Sequence, residues 1–426
     1  MNTLMNNIFL FTPQDLKYIL KWKLFTTPLN QTSHHATPNQ KTCFAFLNKS
    51  GRSFSAVIQD LHPELLLPVA IFYLALRGLD TIEDDPSIPL TMKEDLLCGF
   101  TDTMDIDGWT FNGNRPEEKD REVLVRFDVV IAEYHALKPV YRGVIKSTVH
   151  KMGNGMADYI QSSPDTVPST GTKAGIQTTT AYDDYCFYVA GLVGEGLTQL
   201  FVAADLASPD LLVHSALQKS MGLLLQKTNI IRDIRADFED GRRFWPVEIW
   251  GRHVADFSDL FRSAPRYRQA AMNCTAEMVL NALRHVEECL AYLDKLDDES
   301  VFVFCAAPQM MALATMALCF RNPDLFDAGK PLKTGKGEAC RVMVEARLGM
   351  RGVCEAFGRY IRCIKDKNVS EDPCFDEIEE VCAAIEKAIE ALMGREIVKQ
   401  RAVGNYLLLS LAAIVIAFMV MAMLHK

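Results

Sequence analysis

The run QKTNIIRDIRADFED, residues 226–240, places Asp233 and Asp237 four residues apart, with Glu239 and Asp240 close behind. A second run, FYLALRGLDTIEDD at 72–85, repeats the arrangement with Asp80 and Asp84 and adds Glu83 and Asp85. On a helix, carboxylates at i and i+4 share one face, ~5–6 Å apart at Cβ, and repel each other by a few tenths of a kcal/mol. At a helix C-terminus they also meet the negative end of the dipole. A cation between two such faces relieves both penalties. Mg2+ suits the role, because it takes oxygen ligands, keeps waters and binds one or two carboxylates together with substrate phosphates. Arg77 stands three residues before Asp80, and Arg232 and Arg235 bracket Asp233. These guanidiniums read in two ways, as i,i+3 ion pairs on a solvated helix face or as forks for phosphate oxygens.

Outward from these runs, helical periodicity covers most of the chain and no convincing alternating strand interrupts it. From Pro63 to Leu79 the residues Leu66, Val69, Ala70, Phe72, Tyr73, Leu76 and Leu79 recur at three- and four-residue steps, and Pro63 suits a helix start. Similar patterns predict helices at about 122–137, 140–160, 181–205, 211–238, 266–296, 306–320, 338–366 and 376–424. Loops are predicted at 86–91, 102–120, 161–180, 239–246 and 321–337. Between the acidic runs lies YCFYVAGLVGEG, residues 185–196. Its glycines are spaced G-x-x-G-x-G with no strand before them, which excludes a dinucleotide fingerprint. Small residues here imply a kink or the close approach of a neighbouring helix or ligand. Tyr185 and Tyr188 are either core aromatics or, in one case, a proton carrier beside the acidic site.

The 426 residues are 49% hydrophobic with a net charge of −9, which excludes disorder and argues against a nucleic-acid partner. Twelve cysteines are scattered without a C-x-x-C, so neither a zinc site nor a disulfide framework is expected. They read as reduced thiols in a chain facing the cytosol. Gly404 to Leu424 is 21 residues without a charge, preceded by Arg395, Lys399 and Arg401. That length matches the ~20 residues needed to cross a bilayer, with the basic side cytosolic. Met1 to Phe11 lacks a basic start and a cleavage site, so no signal peptide is expected.

GRSFSAVIQ (51–59), FYLALRGLDTIEDD, KDREVL (119–124), MGNGMADY (152–159), YCFYVAGLVGEGLTQLF (185–201), GLLLQKTNIIRDIRADFEDGRRFWP (222–246) and FCAAPQMMALATMAL (304–318) together resemble the squalene synthases of the squalene/phytoene synthase family. They stand in the family's order across about 43–340. The resemblance implies an all-α isoprenoid-synthase-type helical bundle around a central active-site cavity, plus one C-terminal transmembrane helix. It implies a farnesyl-diphosphate farnesyltransferase of sterol biosynthesis, using Mg2+ and NADPH. Two farnesyl diphosphates would condense with proton loss to presqualene diphosphate. Loss of the second diphosphate, rearrangement and hydride from NADPH would then give squalene.

By the same resemblance Asp80, Glu83, Asp84, Asp233 and Asp237 hold metal, and the four aspartates are catalytic together with Tyr185, which serves the first step. Ser53, Phe54, Arg77, Gln226, Asn229, Arg232 and Phe304 are its substrate contacts, and Arg52, Arg77, Arg232, Lys333 and Lys336 its NADPH contacts. Phe54, Phe187 and Phe304 are candidates to face carbocations with their rings, and each is also a good core residue. Gly335 departs from the family, standing in the basic loop where a further charge is expected.

The expected division is an N-terminal segment (1–40), a catalytic domain (41–370), a helical connector (371–403) and a transmembrane anchor (404–424). The expected protein is a monomer, tail-anchored in the endoplasmic reticulum membrane. Two alternatives are a related condensing enzyme, using longer donors or stopping at presqualene diphosphate, and a helical scaffold without catalysis. Lys333, Lys336 and the apolar tail favour the full reaction. A scaffold predicts eroded aspartates, and all four stand.

Overall fold

The computed structural model describes residues 13–25, 36–51, 53–162, 175–329 and 332–397. Its first half forms α1 (Pro13–Phe25), α2 (Pro38–Gly51), α3 (Ser53–Gln59), α4 (Pro63–Glu83), α5 (Leu90–Thr103), α6 (Phe127–Ala136) and α7 (Pro139–Ser162). Then come α8 (Thr179–Cys186), a π-helical turn (Phe187–Gly191), α9 (Leu192–Ala203), α10 (Ser215–Arg232) and α11 (Ile234–Glu239). The remainder folds as α12 (Pro265–Leu283), α13 (Val286–Leu293), α14 (Glu299–Cys319), α15 (Lys336–Ala346) and α16 (Met350–Lys367), and a last helix covers 375–397. There is no strand among the described residues, and the all-α expectation holds.

Local chemistry starts the two central helices. Pro63 takes the first position of α4, where a missing N–H costs nothing, and the His62 ring accepts the Glu64 N–H at 3.2 Å. Asp298 caps α14 by accepting the Val301 N–H at 3.0 Å. Both helices, and the stretch Thr179–Ala203, are long and apolar enough to cross a membrane. Yet 72% and 83% of the apolar windows of α4 and α14 are buried inside the body, which is why they are apolar. Only 44% is buried in Thr179–Ala203, where Val189, Val193 and Leu197 border an internal cavity.

Several predicted helices are divided in the structure. The 211–238 pattern starts at Ser215 and breaks at Asp233, whose φ of −95° and ψ of 7° leave the helical region. The 266–296 pattern splits at Arg284 and His285. The 338–366 pattern splits at Gly349, whose φ of +67° suits a residue without Cβ. In contrast, α14 starts seven residues before the predicted 306, because it is apolar all round and shows no amphipathic stripe.

The ends of the described chain pack on this body. Arg341 of α15 lies over the Tyr18 ring of α1 at 5.3 Å. In the 375–397 helix Ile378, Cys382, Ile385 and Leu392 are buried, and Arg395 pairs with Asp294 at 2.7 Å. All twelve cysteines are free thiols. The predicted anchor at 404–424, the Met1–Phe11 stretch and residues 163–174 of the predicted 161–180 loop lie outside the described residues.

Candidate active site

A cavity of about 630 Å3 lies between α2, α3, α4, α9, α10 and α14. Glycines let its walls meet. A Cβ on Gly194 of α9 would lie 2.1 Å from the Gln218 carbonyl oxygen, and one on Gly222 of α10 would lie 2.0 Å from that of Ala190. The close approach expected of the glycine-rich run is present, and a π-helical turn interrupts the α-helix just before it.

Of the expected contacts, Phe54, Arg77, Asp80, Gln226, Asn229, Arg232 and Phe304 line this cavity. Phe187 does not line it, a correction to its expected place. In the π turn Val189 and Ala190 border the cavity, and Phe187 lies under the Lys219 ammonium at 4.7 Å. Ser53 starts α3, and Arg52 lies outside the described residues. Lys333 and Lys336 are exposed on a segment held to α14 by the Thr334–Thr315 hydroxyl contact at 3.1 Å.

At one end of the cavity the two acidic runs face each other. Asp84 donates its N–H to the Asp80 carbonyl at 2.8 Å, and Asp237 to that of Asp233 at 2.9 Å. Each pair therefore spans one turn, as the spacing predicts, although the helix assignment breaks at Asp233. Between them lies Arg242, with Nη1 2.6 Å from Asp84 Oδ1 and Nη2 2.9 Å from Asp237 Oδ1. Arg77 approaches Asp80 at 3.4 Å and Asp120 at 4.0 Å. Arg232 forks onto Asp233 at 2.8 and 2.5 Å. Arg77 and Arg232 thus pair with the aspartates and also border the cavity. Asp85 plays a different part. Buried, it accepts from Asn114 at 3.0 Å and from the Ser87 and Arg115 N–H groups at 2.8 and 3.0 Å, and these bonds hold it down to about 2 against the cost of burial.

Crowding of like charges shows in the proton affinities. Burial, then the Asp84 and Asp120 carboxylates, push Asp80 up to about 6 against the pull of Arg77. Its side chain is 31% exposed and borders the cavity. Burial with Asp233 and Asp84 pushes Asp237 up to about 7 despite Arg242. Glu83 is raised well above the usual carboxylate range by burial and by Asp84 and Asp80. Such a set attracts a cation. Among the described residues no three His, Cys, Asp or Glu side chains are grouped so as to hold an ion by themselves. The carboxylates are instead split between two facing helix ends, which fits a hard cation that completes its shell with water and phosphate oxygens.

Tyr185 is buried beside this end, stacked on Phe244 at 5.1 Å and packed on Tyr159 at 4.4 Å. Burial and the nearby Glu83 hold its phenol far above its usual range, so it stays a neutral O–H. Tyr188 is 37% exposed and packs over Gly155. Sequence reasoning missed Arg242, which stands in the predicted 239–246 loop and in the quoted 222–246 run but was given no role. It also missed Lys49 and Lys119, which border the cavity; Lys119 belongs to the quoted KDREVL run.

An all-helical bundle whose cavity ends between two facing acidic helix ends defines an isoprenoid synthase. The squalene/phytoene synthase family model matches residues 47–337. A probable squalene synthase of Neurospora crassa is 50% identical over 385 residues, covering 90% of this chain and 78% of that one. Squalene synthase ERG9 of Saccharomyces cerevisiae is 45% identical over 381 residues, covering 89% and 83%. The solved complex of TcSQS with the ligand E5700 superposes with a TM-score of 0.77 at 35% identity, over 83% of this chain and 99% of that one. The chain belongs to the squalene/phytoene synthase family.

Proposed function

We propose that the chain is a squalene synthase, a farnesyl-diphosphate farnesyltransferase. It condenses two farnesyl diphosphates head to head to presqualene diphosphate and reductively rearranges that product to squalene for sterol biosynthesis. The observation that carries this reading is the facing pair of acidic helix ends, Asp80/Asp84 and Asp233/Asp237, at one end of a predominantly apolar cavity. Its volume of about 630 Å3 falls within the roughly 300–1,000 Å3 of ordinary ligand sites. Relatives named squalene synthase, 45–50% identical over about nine-tenths of the chain, support the same reading.

In this reading Asp80, Glu83, Asp84, Asp233 and Asp237 hold Mg2+, which when bound neutralises charge on the departing diphosphate. Arg77, Arg232, Gln226 and Asn229 orient the diphosphates, while Phe54 and Phe304 offer ring faces to cationic carbon. Tyr185 contributes a neutral O–H beside the carboxylates for the first step. The apolar lining would keep water, which quenches carbocations, away from the reacting carbons. The exposed Lys333 and Lys336, with Arg77 and Arg232, supply positive charge for the phosphates of NADPH. In the family-based assignment Arg52 joins these cofactor contacts, and Ser53 joins the substrate contacts.

The catalytic unit is residues 41–370, with 371–403 as connector. The 404–424 segment anchors a monomer in the endoplasmic reticulum membrane, with the body cytosolic. Squalene is too apolar to leave into water, so membrane association suits the product. The full chain in detergent, given farnesyl diphosphate and Mg2+ without NADPH, should accumulate presqualene diphosphate identified by mass. A hydrolysed substrate with no C30 product would reject the assignment.

A further inference from the structure

We propose that Arg242 is a displaceable latch on the acidic site: its guanidinium fills the gap between Asp84 and Asp237 and must release at least one of them before Mg2+ binds there. The latch rests on the metal reading above and goes beyond it by assigning a role to a residue outside the carboxylate set.

The geometry is that of a bridge. One nitrogen of the fork serves Asp84 on the first helix end at 2.6 Å, and the other serves Asp237 on the second at 2.9 Å, with Asp240 a further 3.5 Å contact. A guanidinium and a divalent ion compete for the same inward oxygens, Asp84 Oδ1 and Asp237 Oδ1, because each draws on the same lone pairs. The arm that carries the fork is fixed. Gly241 turns the chain at φ +79°, and the Arg242 N–H is bonded to the Asp237 carbonyl at 2.7 Å. The head is not fixed in the same way. Its side chain is 34% exposed and that of Asp84 50%, so the Asp84 end of the bridge can open toward solvent, while the Asp237 carboxylate at the other end is 12% exposed. Its Nε is buried without an acceptor among the described residues, which leaves donor capacity that the carboxylates do not use. The guanidinium carbon lies 5.9 Å from the centre of the Phe244 ring, and that ring stacks on Tyr185. The latch therefore sits where the metal ligands meet the first-step tyrosine.

Calorimetric titration of the full chain in detergent with Mg2+ alone tests this, using wild type, Arg242→Gln, Arg242→Lys and Asp84→Asn. Arg242→Gln should bind Mg2+ about tenfold more tightly, because the half-exposed charge-assisted bonds need not be broken. Arg242→Lys keeps the charge but cannot span two carboxylates with one ammonium, so it too should bind several-fold more tightly. A gain of affinity is not produced by a misfolded variant. A Lys variant that titrates like wild type would reduce the effect to net charge and overturn the latch. Unchanged affinity in both Arg242 variants, with Asp84→Asn weakened, would overturn the latch alone. Wild-type affinity in Asp84→Asn would overturn the ligand assignment and the latch with it.

Discussion

At the scale of single residues, the proposed metal site rests on four aspartates, whose proton affinities would set its pH range. Asp80→Asn or Asp233→Asn should abolish squalene formation, and measurable product from either variant would remove it from the metal set. Without metal Asp80 titrates at about 6 and Asp237 at about 7, both raised by burial and neighbouring carboxylates. At the proposed site Mg2+ would take the deprotonated forms, so binding would release protons below those values. Its affinity should rise with pH, roughly tenfold to a hundredfold between about pH 5.5 and 7.5, and level off above. Calorimetry in two buffers of different ionisation enthalpy reads both the affinity and the released protons, and a flat profile would contradict the shifts. Tyr185→Phe should retain folding and substrate binding but block presqualene diphosphate formation. The aspartate pairs were legible because one helical turn is a local property of spacing. Arg242 was not legible, since its role arises only when Gly241 turns the chain across to Asp84, which lies 158 residues away.

At the scale of elements, helix contacts fix the cavity wall. Gly222→Ala places a methyl against the Ala190 carbonyl, a backbone atom that cannot swing aside, and should cost about 2–4 kcal/mol in urea unfolding. Gly335→Ala, with open space around it and ordinary φ, is the matched control, with a change of about 0.5 kcal/mol or less. A second tie joins α8, α10 and α13. Buried Lys227 pairs with Asp183 at 2.7 Å and donates to His285 Nε2 at 2.8 Å; the ring's Nδ1–H then meets Ser220 at 2.9 Å, whose hydroxyl donates to Glu288. Burial and Lys227 press His285 down to about 3, so it stays neutral. Below the ordinary histidine range the unfolded chain takes a proton that the folded chain refuses. This group's contribution is therefore lost as pH falls from about 6.5 toward 3. His285→Gln should flatten that part of the acid limb in urea midpoints measured against pH. Long amphipathic helices such as α4 were legible in the sequence. The breaks at Asp233, His285 and Gly349 were not, because the apolar period runs straight through them, and α14 lacked a polar face to mark its start.

For the whole molecule, the apolar residues of the composition divide between a helical core and a cavity wall, with a terminal apolar run outside the described residues. The three span-length stretches in the body show that hydropathy alone does not mark a membrane span: two are mostly buried inside the body, and all three border the cavity. A chain ending after Lys399 should keep product formation within about threefold while losing its partition into vesicles, because every cavity-lining residue precedes that point. Retained vesicle binding would place the membrane contact on the body instead. In the proposed reaction one cavity serves both condensation and reduction. Its most direct test supplies the full chain in detergent with farnesyl diphosphate, Mg2+ and NADPH deuterated at the transferable position, and reads the product by mass spectrometry. The expected result is squalene carrying a single deuterium; presqualene diphosphate as the end product, or squalene without the label, would contradict it.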